Sequence, residues 1–359
     1  MLSIYQKYLI KKFLQKILKV SMIFLLLIII LNTFDEISFF KELDVSFLFP
    51  FILTLSNAPS VLFEIFPFIF LISALLFFLD LININELDVL KINGLNNLKI
   101  IKILFFTSIA LGLFLIIFFY SFSSKLKFIY LDMKNNHTTD GKYLAMINEN
   151  GIWIKDEINE SVYIINAKLI NNQKLKTVLI TTFNSNYDLQ NLIRSDSIDI
   201  SRNEWLILDP IIAKDHSYII QDSILKLETH FNFAKINELF SDLTSLNIYQ
   251  LNKLSKDYER LGYSTTEVRV HLNKIYTYPI YFSIMTIFSS IIMLNIKRNR
   301  PMIFYLILSI FLSVVIYYLN ILSNILGENG KVPVVASSLM PLFLLTIIIS
   351  IGLIRINEK

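Results

Sequence analysis

The sequence predicts a six-span α-helical membrane protein with a large all-β domain inserted between its third and fourth spans. Three observations predict this. Of 359 residues, 54% are hydrophobic, and the mean hydropathy of +0.57 lies beyond that of an ordinary soluble domain. The apolar residues gather in runs of roughly 20, each long enough to cross a ~30 Å hydrocarbon core at about 1.5 Å per residue. Between the third and fourth runs, Ser123 to about Thr266 is polar and strand-like.

Composition also excludes function classes. A net charge of +4 lacks the concentrated basic face of a nucleic-acid binder. Without cysteine there is no disulfide, thiolate catalysis or thiolate-bound metal. His137, His216, His230 and His271 are scattered, with no metal-ligand spacing. There is no phosphate-cradling G-x-x-x-x-G-K loop and no G-x-S-x-G elbow. No catalytic site, metal or bound cofactor is expected, and a transporter component or sensor fits better than an enzyme.

Residues 1–122 hold the first three spans. Lys7, Lys11, Lys12, Lys16 and Lys19 precede an apolar run from Val20 to Leu31. The apolar face already starts at Tyr8 and Leu9, and Asn32-Thr33-Phe34-Asp35 stands where a leader would carry small residues. This reads as a span rather than a secretory leader. An acidic stretch follows, Asp35, Glu36, Glu42 and Asp44, with Lys41 its only cation. The second run, about Pro59 to Leu81, carries Glu64 between Pro59 and Pro67. A carboxylate at membrane depth marks function by default, and the alternative is a side chain reaching interfacial water. A short polar helix with a glycine, within Asn83–Lys102, leads to the third run, Ile103–Phe122.

Residues 267–359 hold three more runs, about Asn273–Asn295, Met302–Leu326 and Val334–Ile354. Ser73, Ser289 and Ser309 within the spans read as helix-packing residues. The N-terminus, the Asn83–Lys102 stretch, the Lys297–Arg300 loop and the tail hold nearly all the Lys and Arg of the short loops, whereas the alternate set holds Lys41 and Lys331. Positive charge collects on the cytoplasmic side, which places both termini there and the insert outside.

Within the insert, residues 123–266, the expected strands are Tyr143–Ile147, Ile152–Ile154, Val162–Ile170, Lys176–Phe183, Trp205–Leu208, His216–Ile220 and Ile224–His230. Their even spacing predicts an antiparallel sandwich or jelly roll. Adjacent apolar pairs such as Ile164-Ile165 and Leu179-Ile180 fit a greasy interior or a plain packed core. Leu246–Leu261 reads as a helix, with Gly262 as its C-cap. Ser264-Thr265-Thr266-Glu267 has capping-box spacing and opens the next helix. Arg269, His271 and Lys274 lie on its outer end, as an interfacial anchor or as cations facing lipid phosphates.

Several motifs, in order and at matching places, resemble the lipopolysaccharide export permease family LptF/LptG over essentially the whole chain. Lys7-Tyr8 resembles the family's basic-Tyr start, and Pro59 and Pro67 its second span. Glu86-Leu87-x-Val89, then Gly94, is similar to its E-L-x-V-x-x-x-x-G coupling helix. Gly151-Ile152-Trp153-Ile154-Lys155-Asp156, followed by Val162-Tyr163-Ile164, resembles a jelly-roll segment. Tyr318-Leu319, Val332-Pro333 and Leu339-Met340-Pro341 resemble the last two spans. The W-x-K-D segment and those spans look more like LptG than LptF.

The resemblance implies a non-catalytic transmembrane subunit in the bacterial inner membrane with a periplasmic jelly roll. It would pair with a paralogous LptF-type subunit, a cytoplasmic LptB-type ATPase dimer that uses the ATP, and a periplasmic LptC-type bridge protein. The coupling helix, about residues 84–93, would offer Leu87 and Leu90 to an ATPase groove with Glu86 at its rim, beside Val89 and Gly94. Lipopolysaccharide would enter between the first span of one subunit and the fifth of the other. The family often sets cations at the outer end of the first span. Here Lys41 is nearest, and Lys125, Lys127 and Lys134 share that expectation. Glu64, Arg269, Lys274, Tyr317 and Tyr318 complete the candidates for substrate path or phosphate contact. The alternative reading is a membrane-anchored sensor or assembly factor without an ATPase partner.

Overall fold

The computed structural model describes residues 3–41, 45–46, 48–135, 137, 152–158, 161–171, 173–185, 187–214, 217–220, 224–233, 235–236, 242–260, 263–295 and 302–357. The chain forms two compact units, Met1–Leu126 with Thr265–Lys359, and Lys127–Ser264.

The first unit is helical. Its elements are α1 (Ile4–Phe39), α2 (Leu48–Asn83), α3 (Glu86–Ile92) and α4 (Asn97–Phe114). A π-helical segment, Leu115–Tyr120, joins α4 to α5 (Ser121–Asn135), which runs past Leu126 into the second unit. After the β unit come α7 (Thr266–Leu294), α8 (Met302–Glu328) and α9 (Val334–Asn357), with α6 (Ile248–Arg260) in the β unit. Among the described residues, six segments are long and apolar enough to cross a membrane. Pro59 and Pro67 sit inside α2 without ending it, so this helix begins well before the expected start at Pro59. Membrane helices tolerate such interruptions where neighbours compensate.

The most buried span is α7, which packs against α2, α4 and α9. Aromatic rings fill the α2–α7 seam. Phe70 stacks on Phe282 at 4.7 Å, and Phe63 lies 5.1 Å from Tyr278. Between α4 and α7 the contact is closer, because small residues let backbones approach where lipid offers no hydrophobic drive. The Ser108 and Thr286 hydroxyls meet at 2.9 Å. One turn away, a Cβ on Gly112 would fall 2.8 Å from the Pro279 Cα. Gly112→Ala is therefore expected to cost roughly 1–3 kcal/mol, read as a lower melting temperature of the detergent-solubilised protein. An unchanged melting temperature would show that the helices separate freely. Ser73, Ser289 and Ser309 are fully buried, in keeping with packing roles.

The second unit holds an eight-stranded antiparallel sheet among the described residues: β1 (Ile152–Ile158), β2 (Ser161–Asn171), β3 (Lys174–Phe183), β4 (Leu189–Asp199), β5 (Glu204–Leu208), β6 (Ile211–Lys214), β7 (Ser217–Ile220) and β8 (Leu225–Glu228). The order runs β1-β2-β3-β4-β5-β8, with β6 joining β4 to β7. Among the described residues this path does not close on itself. Ile154 pairs with Ile165, Ile165 with Ile180, and Ile180 with Ile193, which lays an isoleucine row across four strands. All four are buried. Ile164 and Leu179, the other members of the adjacent apolar pairs, are only half-buried. One face of the sheet is thus a packed core and the other keeps partly open apolar side chains. The expected strand Tyr143–Ile147 and the motif residues Gly151 and Gly262 lie outside the described residues.

Candidate functional site

Helix α3 is bounded by two left-handed residues. Asn85 has φ +56° before it and Gly94 φ +85° after it, a backbone conformation that Asn and Gly accept most readily. The Lys99 ammonium donates to the Gly94 carbonyl at 3.1 Å, and the Asn96 side chain caps α4 by accepting from the Lys99 N–H. The seven-residue helix is thus held at both ends by local chemistry.

A third hold comes from α1. Tyr8, Lys12 and Lys16, four residues apart, share one helix face. The Tyr8 hydroxyl donates to Glu86 Oε2 at 2.8 Å, and Lys12 Nζ donates to the same oxygen at 2.5 Å. Lys12 also donates to the Tyr8 oxygen at 3.2 Å, and one turn on Lys16 pairs with Asp80 at the end of α2. Burial pushes the Glu86 carboxyl up, but the hydrogen bonds from Lys12 and Tyr8 outweigh it and hold its pKa below the ordinary carboxylate range.

This geometry bears on the expected use of α3. Glu86 spends its charge within the chain, and Leu87 is 7% exposed, so neither stands free on the helix surface. Leu90 is half-buried. The exposed apolar side chains are Val89 and Ile92, with Ile84 just before the helix.

A second cluster lies within the helical bundle. Glu64 of α2, Lys274, Tyr278 and Tyr281 of α7, and Tyr317, Asn320 and Asn324 of α8 line a cavity of about 30 Å³, room for one or two waters. Among the described residues, the Asn324 side-chain oxygen is buried without a hydrogen-bond partner, and the buried Tyr281 hydroxyl faces Asn320. Three separately nominated candidates, Glu64, Lys274 and Tyr317, are therefore brought to one place. Tyr318 is exposed instead.

The remaining cations differ in availability. Lys41, Lys125 and Arg269 are exposed. Lys127 lies over the Tyr130 ring at 4.8 Å. Lys134 is 7% exposed and donates to the Tyr130 hydroxyl at 3.0 Å.

In the β unit Asp156 of the W-x-K-D segment is bonded within the fold, whereas the Trp153 side chain is 52% exposed. Asp156 is 3% exposed. Its carboxylate accepts from the Thr229 hydroxyl at 2.7 Å and the His230 N–H at 3.0 Å, and lies 2.8 Å from His230 Nδ1. Trp205, fully buried, donates its indole N–H to the Phe231 carbonyl at 2.7 Å. The segment after β8 is fixed from both sides. The Tyr263 hydroxyl bridges the Trp153 carbonyl and the Lys155 N–H. Tyr163 stands opposite Asp156 on β2.

Six membrane-length helices, interrupted by an antiparallel β unit, define a multi-pass helical membrane protein. The family model described as lipopolysaccharide export system permease LptF/LptG matches residues 7–355, and the chain belongs to that family. It is thereby a component of lipopolysaccharide export, a permease and not a catalytic subunit, and it fits the inner membrane. No curated protein matches the chain.

Proposed function

We propose that this chain is the LptG-type permease subunit of an ATP-driven lipopolysaccharide exporter. It pairs with an LptF-type paralogue above an LptB-type ATPase dimer. Both termini and α3 face the cytoplasm, and the β unit faces the periplasm as a jelly roll. Lipopolysaccharide leaves the inner membrane between the first span of one subunit and the fifth of the other. It then passes through the jelly roll toward an LptC-type bridge. The chain binds no cofactor, and ATP is used by the partner.

The observation that carries this reading is the family match over residues 7–355. The geometry supports it. The most apolar windows of α1 and α8, the first and fifth spans, are each only 17% buried, against 67% for α7, which leaves them faces for lipid or a paralogue. The exposed Val89 and Ile92 offer a hydrophobic knob on a helix braced against α1. Lys41, Lys125 and Arg269 are the exposed cations proposed for phosphate contact, and the Glu64–Lys274–Tyr317 cluster is proposed to line the substrate path.

Val89→Asp or Ile92→Asp tests the docking surface. Each is expected to leave the melting temperature within about 1 °C, as surface changes do, while co-purification of the ATPase falls sharply. Full ATPase association by both variants would remove α3 from the interface. Recovery of the wild-type chain alone, while another membrane complex from the same cells stays intact, would favour the sensor or assembly reading.

A further inference from the structure

We infer that the groove between α1 and α4 is a binding site for an anionic glycerophospholipid. The groove has a volume of about 790 Å³. Ile10 and Leu14 form one wall, and Phe106, Ala110, Leu111 and Phe114 the other. Thr107, the polar side chain among these residues, gives its hydroxyl to the Ile103 carbonyl at 2.7 Å and makes no demand on an occupant.

The polar residues gather at one end. Lys102 stands at the mouth with Tyr5, Gln6 and Lys99, whose ammonium also donates to the Gly94 carbonyl, and among the described residues no carboxylate lines the groove. This is also the end at which α1 and α4 begin, near the Lys-rich start of the chain. From Lys102 to Phe114 the wall rises about 18 Å at 1.5 Å per residue, close to one leaflet of a ~30 Å core. An acyl chain matches that length and surface, and an anionic headgroup matches the two lysines. A neutral lipid would leave the lysines without counter-charge, whereas basic pockets between spans select acidic headgroups.

This inference rests on the membrane placement of the spans and not on what the protein exports, so the two can fail separately. The test uses the full-length protein, with any subunits it retains, in phosphatidylcholine nanodiscs doped with phosphatidylglycerol carrying a photoreactive acyl chain. Labelled sites are mapped by mass spectrometry. Labelling is expected to concentrate on residues 10–14 and 103–114, and to be displaced by unlabelled phosphatidylglycerol but not by extra phosphatidylcholine. Lys102→Gln should weaken that labelling about five-fold, the value of one lysine near an acidic headgroup. Ala110→Trp, which fills the groove and keeps both lysines, should abolish it. Because either variant could fold poorly, labelling of the outward faces of α8 and α9 serves as the internal control. Equal labelling of those faces and the groove, without headgroup preference, would overturn the proposal by showing general lipid contact. So would a groove shielded from the probe by a co-purifying protein, which would make it a subunit interface.

Discussion

Asp156→Ala is expected to destabilise the β unit by about 3 kcal/mol. The carboxylate is buried and holds the Thr229 hydroxyl and the His230 N–H. Removing it leaves those donors with no acceptor in a water-poor place, the costly way to lose a hydrogen-bonded charge. The effect should be local, so hydrogen–deuterium exchange on the full chain reads it best. Protection in β1 and across residues 225–231 should fall together, while the helical unit is unchanged. Asp156→Asn keeps the shape and one acceptor, and should lose roughly 1 kcal/mol. If Ala and Asn behave alike and exchange does not change near Phe231, the carboxylate is not the anchor described. Such a result would reopen a direct role for the W-x-K-D segment in export.

The second large effect is expected at the α1–α3 brace. Lys12→Glu puts a carboxylate against Glu86, and Glu86→Lys puts an ammonium against Lys12. Each single change should sever α3 from α1 and stop export, while the double exchange restores most of it. The coupling energy should be about 1–2 kcal/mol, the range for a part-exposed, charge-assisted pair. Export is read as lipopolysaccharide released from inner-membrane vesicles to an added acceptor. Additive single effects, with no recovery in the double exchange, would mean that the brace does not act as a unit. The pH dependence has a definite sign. The folded-state pKa of Glu86 lies below its unfolded value, so its contribution is complete above the ordinary carboxylate range. It disappears as pH falls through the lowered value. At neutral pH the brace is set; acid releases it by protonating Glu86, and strong alkali by deprotonating Lys12, whose pKa burial lowers but the pairing raises by more.

Which parts of this were readable in the sequence follows from range. Hydropathy runs report on the lipid solvent and need no partner, so the six spans stood out. Val162–Ile170 and Lys176–Phe183 likewise carry their own apolar signal and correspond to β2 and β3. The long central strand β4 was missed because Leu189–Asp199 is rich in Ser, Asp and Arg. Some of its polar side chains point inward with partners that lie far away in sequence, as when the Ser195 hydroxyl donates to the Leu208 carbonyl. The coupling-helix motif located α3, but not which of its faces is free. That depends on Lys12, 74 residues earlier. The Tyr8–Lys12–Lys16 spacing is a usable signal for such a stripe, although taken singly Tyr8 reads as the start of the apolar face and the lysines as positive charge.

The π turns at Leu115–Tyr120 give the third span two independent phases. A π bulge holds one residue more than the α-helix it interrupts, so the two sides need not share a helical register. Gly112, set against Pro279, lies before the π segment. Tyr120, whose hydroxyl meets His271 Nε2 at 3.2 Å, closes it. In an unbroken helix, removing one residue between them would turn one contact away by about 100°. With the bulge, both are made at once.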